Sequence, residues 1–184
     1  MSTSFRILIP SMLLLAALGC GELSEYENQQ VQEALSDSLF TTTQSWDVDM
    51  EVLEQVRLKL RLQGSYATTT KNEHQNVTRI SGPVYIEIYD EEGQTETIVD
   101  ADSAIHRPDN MEFELFGNVE VQAKGGKILR SDYLKWQREQ DRVSTTDFVI
   151  FISPPDSIAA NGFYGNSDLT NYTLNEGGGR TVID

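Results

Sequence analysis

The sequence predicts an all-β domain made of stacked, bent β-units of about thirty residues. Apolar and polar residues alternate with a period of two from residue 46 onward, which is typical of strands with one solvent-exposed face. No window after that point has the 3.6-residue period of an amphipathic helix. Similar stretches also return at a fixed step, because IVDADSA starts at Ile98, ILRSDYL at Ile128 and IAANGFY at Ile158.

The alternation marks the strands, and short polar or proline-containing segments mark the turns between them. Valine and leucine alternate with charged and polar residues over 56–63, valine and isoleucine alternate with tyrosine and glutamate over 84–89, and a third run covers 113–121. The segment 148–152 is apolar at every position, so Phe148, Ile150 and Ile152 compete with Val149 and Phe151 for the inner face. The predicted turns are Asp90–Gly93, Lys124–Lys127 and Pro154–Asp156.

Each repeat unit consists of a strand, a turn, a strand, a corner of acidic or small residues, and a further strand. Val119 and Val149 are thirty residues apart, whereas Val84 lies 35 residues before Val119, which predicts a longer turn in the first unit. A weaker unit is predicted from Val56, with 62–67 equivalent to 99–104. Stacked units fit these lengths better than a propeller, which needs four strands per ~40–45-residue blade. The alternation leaves open whether the inner face is a filled core or a groove.

The composition limits the partners of the domain. A chain of 184 residues is long enough for one domain with a packed core, and 39% of its residues are hydrophobic. The formal net charge is −15, which argues against nucleic acid as a partner and against adsorption to an anionic membrane through a basic face.

The N-terminal residues have the pattern of a lipoprotein signal. Ile7–Leu18 is an apolar stretch of twelve residues, shorter than the ~20 that span a bilayer and typical of a signal peptide. The ALGC that ends at Cys20 resembles the bacterial lipobox, and no other cysteine is present for a disulfide or a thiolate metal site. A partner-binding helix with Val31, Leu35 and Leu39 is an alternative within the polar tether. We expect a signal peptide at 1–19, a polar tether at 20–45 that begins with lipidated Cys20, and a β domain at 46–184.

The sequence contains no recognisable catalytic or cofactor-binding motif. The two histidines, His74 and His106, have no matching nucleophile or metal-ligand pattern, and Gly126-Lys127 lacks the rest of a phosphate-binding loop. An aromatic or carboxylate cluster typical of a glycan-binding or enzymatic surface cannot be assembled from the sequence. We therefore expect no enzymatic activity, no metal and no cofactor.

Several stretches taken together resemble the LptC family of periplasmic lipopolysaccharide-export proteins. They are GNVEV before a glycine turn, ILRSDYLKW, VSTTDFVIF and IAANGFYGNSDLTNYTL. The resemblance extends over residues 46–175, is densest at 98–172 and rests on the order and spacing of these stretches. The LptA and organic-solvent-tolerance proteins share this repeat, so the superfamily is better defined than the subfamily.

The resemblance implies a bent β-jellyroll, open at both ends, whose inner face holds the acyl chains of lipopolysaccharide. It implies a carrier that receives lipopolysaccharide from an inner-membrane ABC transporter and passes it to an LptA-like periplasmic bridge by stacking strand edges. Many members keep a transmembrane helix where this chain has a lipobox-like cysteine. We therefore expect a periplasmic protein anchored through Cys20, and the resemblance favours the inner membrane.

The predicted groove lining consists of the apolar members of the alternating runs. The alternative is a filled core in a structural or adhesive β-repeat lipoprotein without a ligand. The predicted lining residues are Val84, Ile86, Ile88, Phe113, Leu115, Val119, Val121, Leu134, Trp136, Val149, Phe151 and Phe163.

Overall fold

Strands dominate the structure, a computed structural model that describes residues 40–180 and the single residue Gln29. Residues 40–180 contain no α-helix, which confirms the all-β prediction, and no helix of the described residues is long and apolar enough to cross a membrane. The strands are β1 (Thr41–Glu54), β2 (Arg57–Lys71), β3 (Asn76–Tyr89), β4 (Thr95–Arg107), β5 (Glu112–Ala123), β6 (Lys127–Gln137), β7 (Arg142–Ser153), β8 (Asp156–Gly165), β9 (Tyr172–Leu174) and β10 (Gly178–Arg180).

The ten strands form one antiparallel sheet in which β1 to β8 follow each other in chain order. β9 and β10 both pair with β8, at residues 163–165 and 157–159 respectively, and so act as two pieces of one last strand. β1 begins at Thr41, five residues before the start at residue 46 that the alternation indicated. The first five residues of β1 are polar and exposed, so the sequence shows no alternation of apolar and polar residues there that would predict a strand.

The turns lie where the sequence predicted them, between β3 and β4, between β5 and β6, and between β7 and β8. At the opposite ends of the strands, two short 3₁₀ turns, Pro108–Asn110 and Arg138–Gln140, are thirty residues apart. Each is followed by a residue in the left-handed conformation, Met111 with φ 49° and Asp141 with φ 42°. Thirty residues therefore correspond to two strands and the two turns that follow them, which is one complete hairpin of the sheet.

Buried residues repeat with the same step from β4 to β6 and from β5 to β7. The sequence predicted a second step of thirty residues from Ile128 to Ile158, but the structural step from β6 to β8 is 29 residues. Ile158 pairs with inward-facing Phe151, as Leu129 does, so Ile158 is equivalent to Leu129 and not to Ile128. The two-residue turn before β8 is one residue shorter than the turn before β6, which accounts for the difference. The buried pairs thirty residues apart are Val99 and Leu129, Ala101 and Ser131, Ala104 and Leu134, His106 and Trp136, Phe113 and Val143, Leu115 and Thr145, Val119 and Val149, and Val121 and Phe151.

A line of register shifts crosses the sheet near the middle of every strand from β2 to β8. In β4, for example, the inward positions change from Val99 and Ala101 to Ala104 and His106, so the period of two slips by one residue. The partner strands carry extra residues at the same level, such as Gly117 and Asn118 in β5. Such bulges bend a strand, and their alignment folds the whole sheet along one line. The acidic and small corners of the predicted repeat are this fold line.

The fold line divides the sheet into two halves that face each other. The first half ends at the turns 55–56, 90–94, 124–126 and 154–155, and the second half ends at the turns 72–75, 108–110 and 138–140. Both halves turn one apolar face inward, and these faces together form one core cluster. The architecture is thus an open sheet folded onto itself, as expected for a bent β-jellyroll.

Asp102 holds the fold line together between β4 and β5. Its carboxylate accepts a hydrogen bond of 2.8 Å from Asn118 Nδ2. Gly117 has φ +73°, and a Cβ atom at this position would lie 2.4 Å from Asp102 Oδ2 and 3.0 Å from Asp102 Cβ. Glycine is therefore required there both for the left-handed backbone and for the close approach of the two strands.

We expect Gly117→Ala to lower the free energy of unfolding by about 2–4 kcal/mol, because it adds a steric clash to the cost of a left-handed alanine. Gly93→Ala is the matched control, since Gly93 has φ +77° but no atom within 4 Å of the position of a Cβ. The control should lose only about 1 kcal/mol. Urea unfolding followed by tryptophan fluorescence measures both losses, and equal losses would contradict the role of Asp102.

Candidate functional site

The candidate site is the space between the inner faces of the two halves. All twelve residues that the sequence predicted as groove lining are buried in the core cluster. Their burial places them on the inner face; whether that face holds a ligand stays a prediction. They come from β3, β5, β6, β7 and β8, so the inner face is continuous across the sheet.

The ambiguous segment 148–152 has a definite inner face. Val149 and Phe151 are 0% exposed, whereas Phe148 is 57% and Ile150 37% exposed. Val149 pairs with inward-facing Ser131 and Ala160, which fixes its direction. Phe148 and Ile150 therefore form an apolar patch on the outer face.

The inner faces of the two halves pack closely against each other, since the residues of the core cluster are at most 9% exposed. A cavity of about 10 Å³ remains, bounded by residues of both halves. A single water needs ~10–15 Å³, so this cavity is smaller than any acyl chain. The residues that bound it are Ile88, Thr97, Val99, Leu115, Val121, Leu134, Trp136, Val143 and Ser167.

Four of these residues were missing from the predicted lining. Val99 and Val143 continue the alternation of β4 and β7, so the period of two was a signal that could have identified them. Thr97 and Ser167 are polar residues of the inner face, and an apolar pattern cannot identify them. Thr97 Oγ1 donates a buried hydrogen bond of 3.1 Å to the backbone oxygen of Ser167, seventy residues away.

Ser167 belongs to residues 166–171, which we call the cap loop. Leu169 of this loop is completely buried although its φ is +57°, a strained value for a leucine. The loop is held by its own hydrogen bonds, among them Asn171 N to Asn166 Oδ1 at 2.9 Å and Leu169 N to Asn166 O at 3.1 Å. Ser167 N also donates to Asp141 Oδ1 at 3.1 Å. The cap loop therefore links Thr97 in the first half to Asp141 in the second.

A second polar link between the halves joins two hairpin ends. Arg138, in the turn after β6, forms an ion pair with Glu54 at the end of β1. The Arg138 side chain is largely buried, whereas that of Glu54 is half exposed. Because the guanidinium is largely buried, this link can open without a large cost only if Arg138 becomes exposed to water at the same time.

The outer face of the sheet carries charged residues in cross-strand pairs. Lys135 binds Glu112 at 2.6 Å, and Arg130 binds Glu120 at 2.5 Å. Arg130 lowers the pKa of Glu120 through its hydrogen bond. The outer face is therefore polar and the inner face apolar, so the two faces suit water and hydrocarbon respectively.

Three aromatic rings stack inside the second half. The His106 ring lies 4.2 Å from that of Phe113 at an angle of 9°, and the Phe113 ring lies 5.6 Å from that of Trp136. Burial, followed by the positive charge of Arg138, lowers the pKa of His106 to about 4. His106 is thus a neutral core residue rather than a ligand or a base. Trp136 Nε1 is buried without a hydrogen-bond acceptor among the described residues.

The two edges of the sheet are formed by β1 and by β9 with β10. On β1, Asp49 accepts hydrogen bonds from Arg61 at 2.5 Å and 2.9 Å and from Gln63 at 3.2 Å. Arg61, followed by Gln63, lowers the pKa of Asp49 to about 2. Trp46 lies on the same strand and is mostly exposed.

The predicted lipidation site lies outside the described residues. The same is true of the predicted signal peptide at 1–19, of Cys20 and of the alternative helix with Val31, Leu35 and Leu39. Groups of three or more His, Cys, Asp or Glu residues that suit a metal ion do not occur among the residues that the structure describes.

Together, the folded sheet, its apolar interior and its polar exterior define a β-jellyroll of the kind suited to enclosing apolar chains. Residues 11–181 match the family described as "Lipopolysaccharide-assembly, LptC-related". The chain belongs to this LptC family, a family of lipid transport and binding proteins of the cell envelope that takes part in lipopolysaccharide transport. A search of curated proteins gave no match.

The buried His106 predicts a stability that depends on pH. Because the folded pKa is about 4 and the ordinary value is 6.5, only the unfolded chain binds this proton between those values. The contribution is fully present above pH 6.5 and is lost as the pH falls towards 4. We expect wild type to lose about 3 kcal/mol relative to His106→Phe between pH 7 and pH 4.

The measurement is the free energy of unfolding of both proteins in urea across this pH range. Since the carboxylates titrate in both proteins, the difference between the two curves isolates His106. Parallel curves would contradict a buried neutral histidine.

Proposed function

We propose that the protein carries lipopolysaccharide by its acyl chains between the two halves of the folded sheet. It receives the lipid from an inner-membrane ABC transporter and passes it to an LptA-like periplasmic bridge. The observation that carries this proposal is the continuous apolar inner face from β2 to β8, which ends at sheet edges that stay open within the described residues.

The free energy of an acyl chain explains why such a carrier needs an enclosed apolar face. Each CH₂ group contributes ~0.8 kcal/mol to burial, so a long chain that leaves a bilayer for water costs on the order of 10 kcal/mol. The inner face offsets this cost by burying the chain again, but it supplies no driving force. Because the sequence lacks a nucleotide-binding motif, we assign the driving force to the ABC transporter.

The filled interior requires that the halves separate when a chain enters. The cap loop and the Arg138–Glu54 pair are the polar links that would break. The same filled interior is the observation that favours the alternative, a structural or adhesive β-repeat lipoprotein without a ligand. The two candidate functions differ in whether lipid reaches the inner face.

The edge strands supply the docking surfaces of the proposed relay. Unpaired N–H and C=O groups of an edge strand bind a further strand, so β1 and the β9–β10 edge would each extend the sheet into a partner. Stacking of this kind joins the inner faces of successive proteins into one path. The anchor in this proposal is a lipid on Cys20 in the inner membrane, connected through the tether at 20–45.

A photo-crosslinker placed on the inner face should trap lipopolysaccharide in cells. Trp136 and Phe151 are suitable inward positions, because both are large aromatic residues of the core, and Val121 is a third. Phe148 is the matched control, since it is a phenylalanine of the same strand as Phe151 but points outward. We expect crosslinks at the inward positions and about tenfold fewer at Phe148, because hydrocarbon partitions to the apolar face.

Immunoblots with antibody to lipopolysaccharide measure these crosslinks after illumination. Labelling only at Phe148, with none at the three inward positions, would support the filled core of the alternative function.

Replacement of the cysteine tests the anchor separately. Cys20→Ala removes the only thiol in the sequence, so we expect the protein to lose incorporation of labelled palmitate. Autoradiography of the purified protein from labelled cells measures this change. Cys20→Ser is a second variant with nearly the same volume, and palmitate incorporation by both variants would exclude Cys20 as the lipidation site.

A further inference from the structure

A polar cleft lies on the outer side of the cap loop, between that loop and the turn after β6. It has a volume of about 520 Å³, within the range of pockets that hold small ligands. Its walls combine two tyrosines with an arginine, a carboxylate and side-chain amides. The residues that matter are Asp141, Arg142, Tyr164, Asn166, Asn171 and Tyr172.

We propose that this cleft binds the sugar headgroup of the glycolipid whose acyl chains occupy the inner face. The proposal rests on the proposed function for the source of the sugar, but the cleft itself is a separate site. A sugar ring has an apolar C–H face and a rim of hydroxyl groups. Aromatic rings can cover the first, and planar amide, carboxylate and guanidinium groups can bind the second.

The two tyrosines supply accessible aromatic surface. Tyr164 is 53% exposed and Tyr172 is 40% exposed, and neither hydroxyl has a hydrogen-bond partner among the described residues. The Arg142 guanidinium lies 6.0 Å from the centre of the Tyr164 ring, which holds the two side chains in a fixed relation. The rings are therefore available to a ligand in a defined position.

The polar groups of the cleft are also held in place. Arg142 Nε donates to Gln137 Oε1 at 2.8 Å, and Nη2 donates to the same oxygen, so Nη1 can still donate to a ligand. Asn166 Nδ2 donates to Thr170 Oγ1 at 2.9 Å. The Asn171 side chain makes one long contact, 3.3 Å to the same hydroxyl, and its amide oxygen is a free acceptor within the described part of the chain. Groups fixed before binding lose little entropy when a ligand arrives.

Tyr172 connects the cleft to the inner face. Its ring lies 4.3 Å from that of Phe151 and 6.2 Å from that of Phe163, two of the predicted groove residues. The cap loop also contacts both the inner face and the cleft, since Leu169 and Ser167 are buried inside whereas Asn166 and Asn171 line the cleft. A molecule with a polar head in the cleft thus has an apolar region directly beside it, which is the arrangement that an amphiphile needs.

The charges favour sugar hydroxyls over phosphate as the group that is bound. Arg142 is the cation of the cleft, and the Asp141 carboxylate is close enough to share the site. Asp168, within the cap loop, adds a second negative charge nearby. A phosphate in the cleft would lie beside the Asp141 carboxylate, which repels it, whereas a sugar hydroxyl can donate a hydrogen bond to that carboxylate.

Titration of the full chain with deacylated lipopolysaccharide tests the proposal. Alkaline deacylation leaves the sugars and phosphates without acyl chains, so the probe cannot bind through the inner face. We expect saturable binding by calorimetry, about fivefold weaker for Tyr164→Ala and for Asn171→Ala, because each removes one stacking or hydrogen-bonding group. Phe148→Ala is the control, since it removes an equally exposed aromatic residue outside the cleft, and it should bind like wild type.

A second probe, the same saccharide after removal of its phosphates, should bind within about twofold of the first. No binding of either probe, equal binding by wild type and Tyr164→Ala, or loss of binding on dephosphorylation would each overturn the sugar site. The crosslinks at Trp136 and Phe151 report separately on the carrier function. Crosslinks without saccharide binding would refute the cleft alone, and saccharide binding without crosslinks would refute the carrier alone.

Discussion

The line of register shifts across the middle of the sheet is the constraint on which the remaining structure depends. Without it, the strands would form a flat sheet whose apolar face had nothing to pack against. The corners stack because hairpins repeat every thirty residues, and Asp102 with Asn118 ties two neighbouring strands there. A one-residue slip in the strands β4 and β6, matched by extra residues in β5 and β7, keeps apolar residues inside on both sides of the corner.

The sequence predicts those features that depend on the alternation of apolar and polar residues along a strand. It indicates most of the strands of the sheet, three turns and most of the twelve predicted inner residues, because these stand in runs where every second residue is apolar. It cannot choose between Phe148 and Val149, where both faces are apolar, and pairing with Ser131 and Ala160 decides that choice. The cap loop and the cleft cannot be predicted from the spacing of apolar residues. Tyr164, Asn171 and Arg142 come together only because β7, β8 and the cap loop pack side by side.

The cap loop separates the two environments that an amphiphile requires. On its inner side, Leu169 and the Thr97–Ser167 hydrogen bond close the apolar interior. On its outer side, Asn166 and Asn171 border a polar cleft. Since Leu169 has a strained backbone, part of the packing energy of the loop is spent on holding that conformation.

For the proposed carrier function, a packed interior is an advantage, because the lipid must be released again. An open apolar groove would expose its inner face to water whenever it was empty, which favours aggregation. When the halves close instead, each side of the inner face buries the other, and the free energy of that closure opposes binding of a chain. The net affinity for a chain of CH₂ groups, each worth ~0.8 kcal/mol, is then the difference between two burial terms of similar size. Under the proposed carrier function, this balance would let the protein accept an acyl chain and still release it.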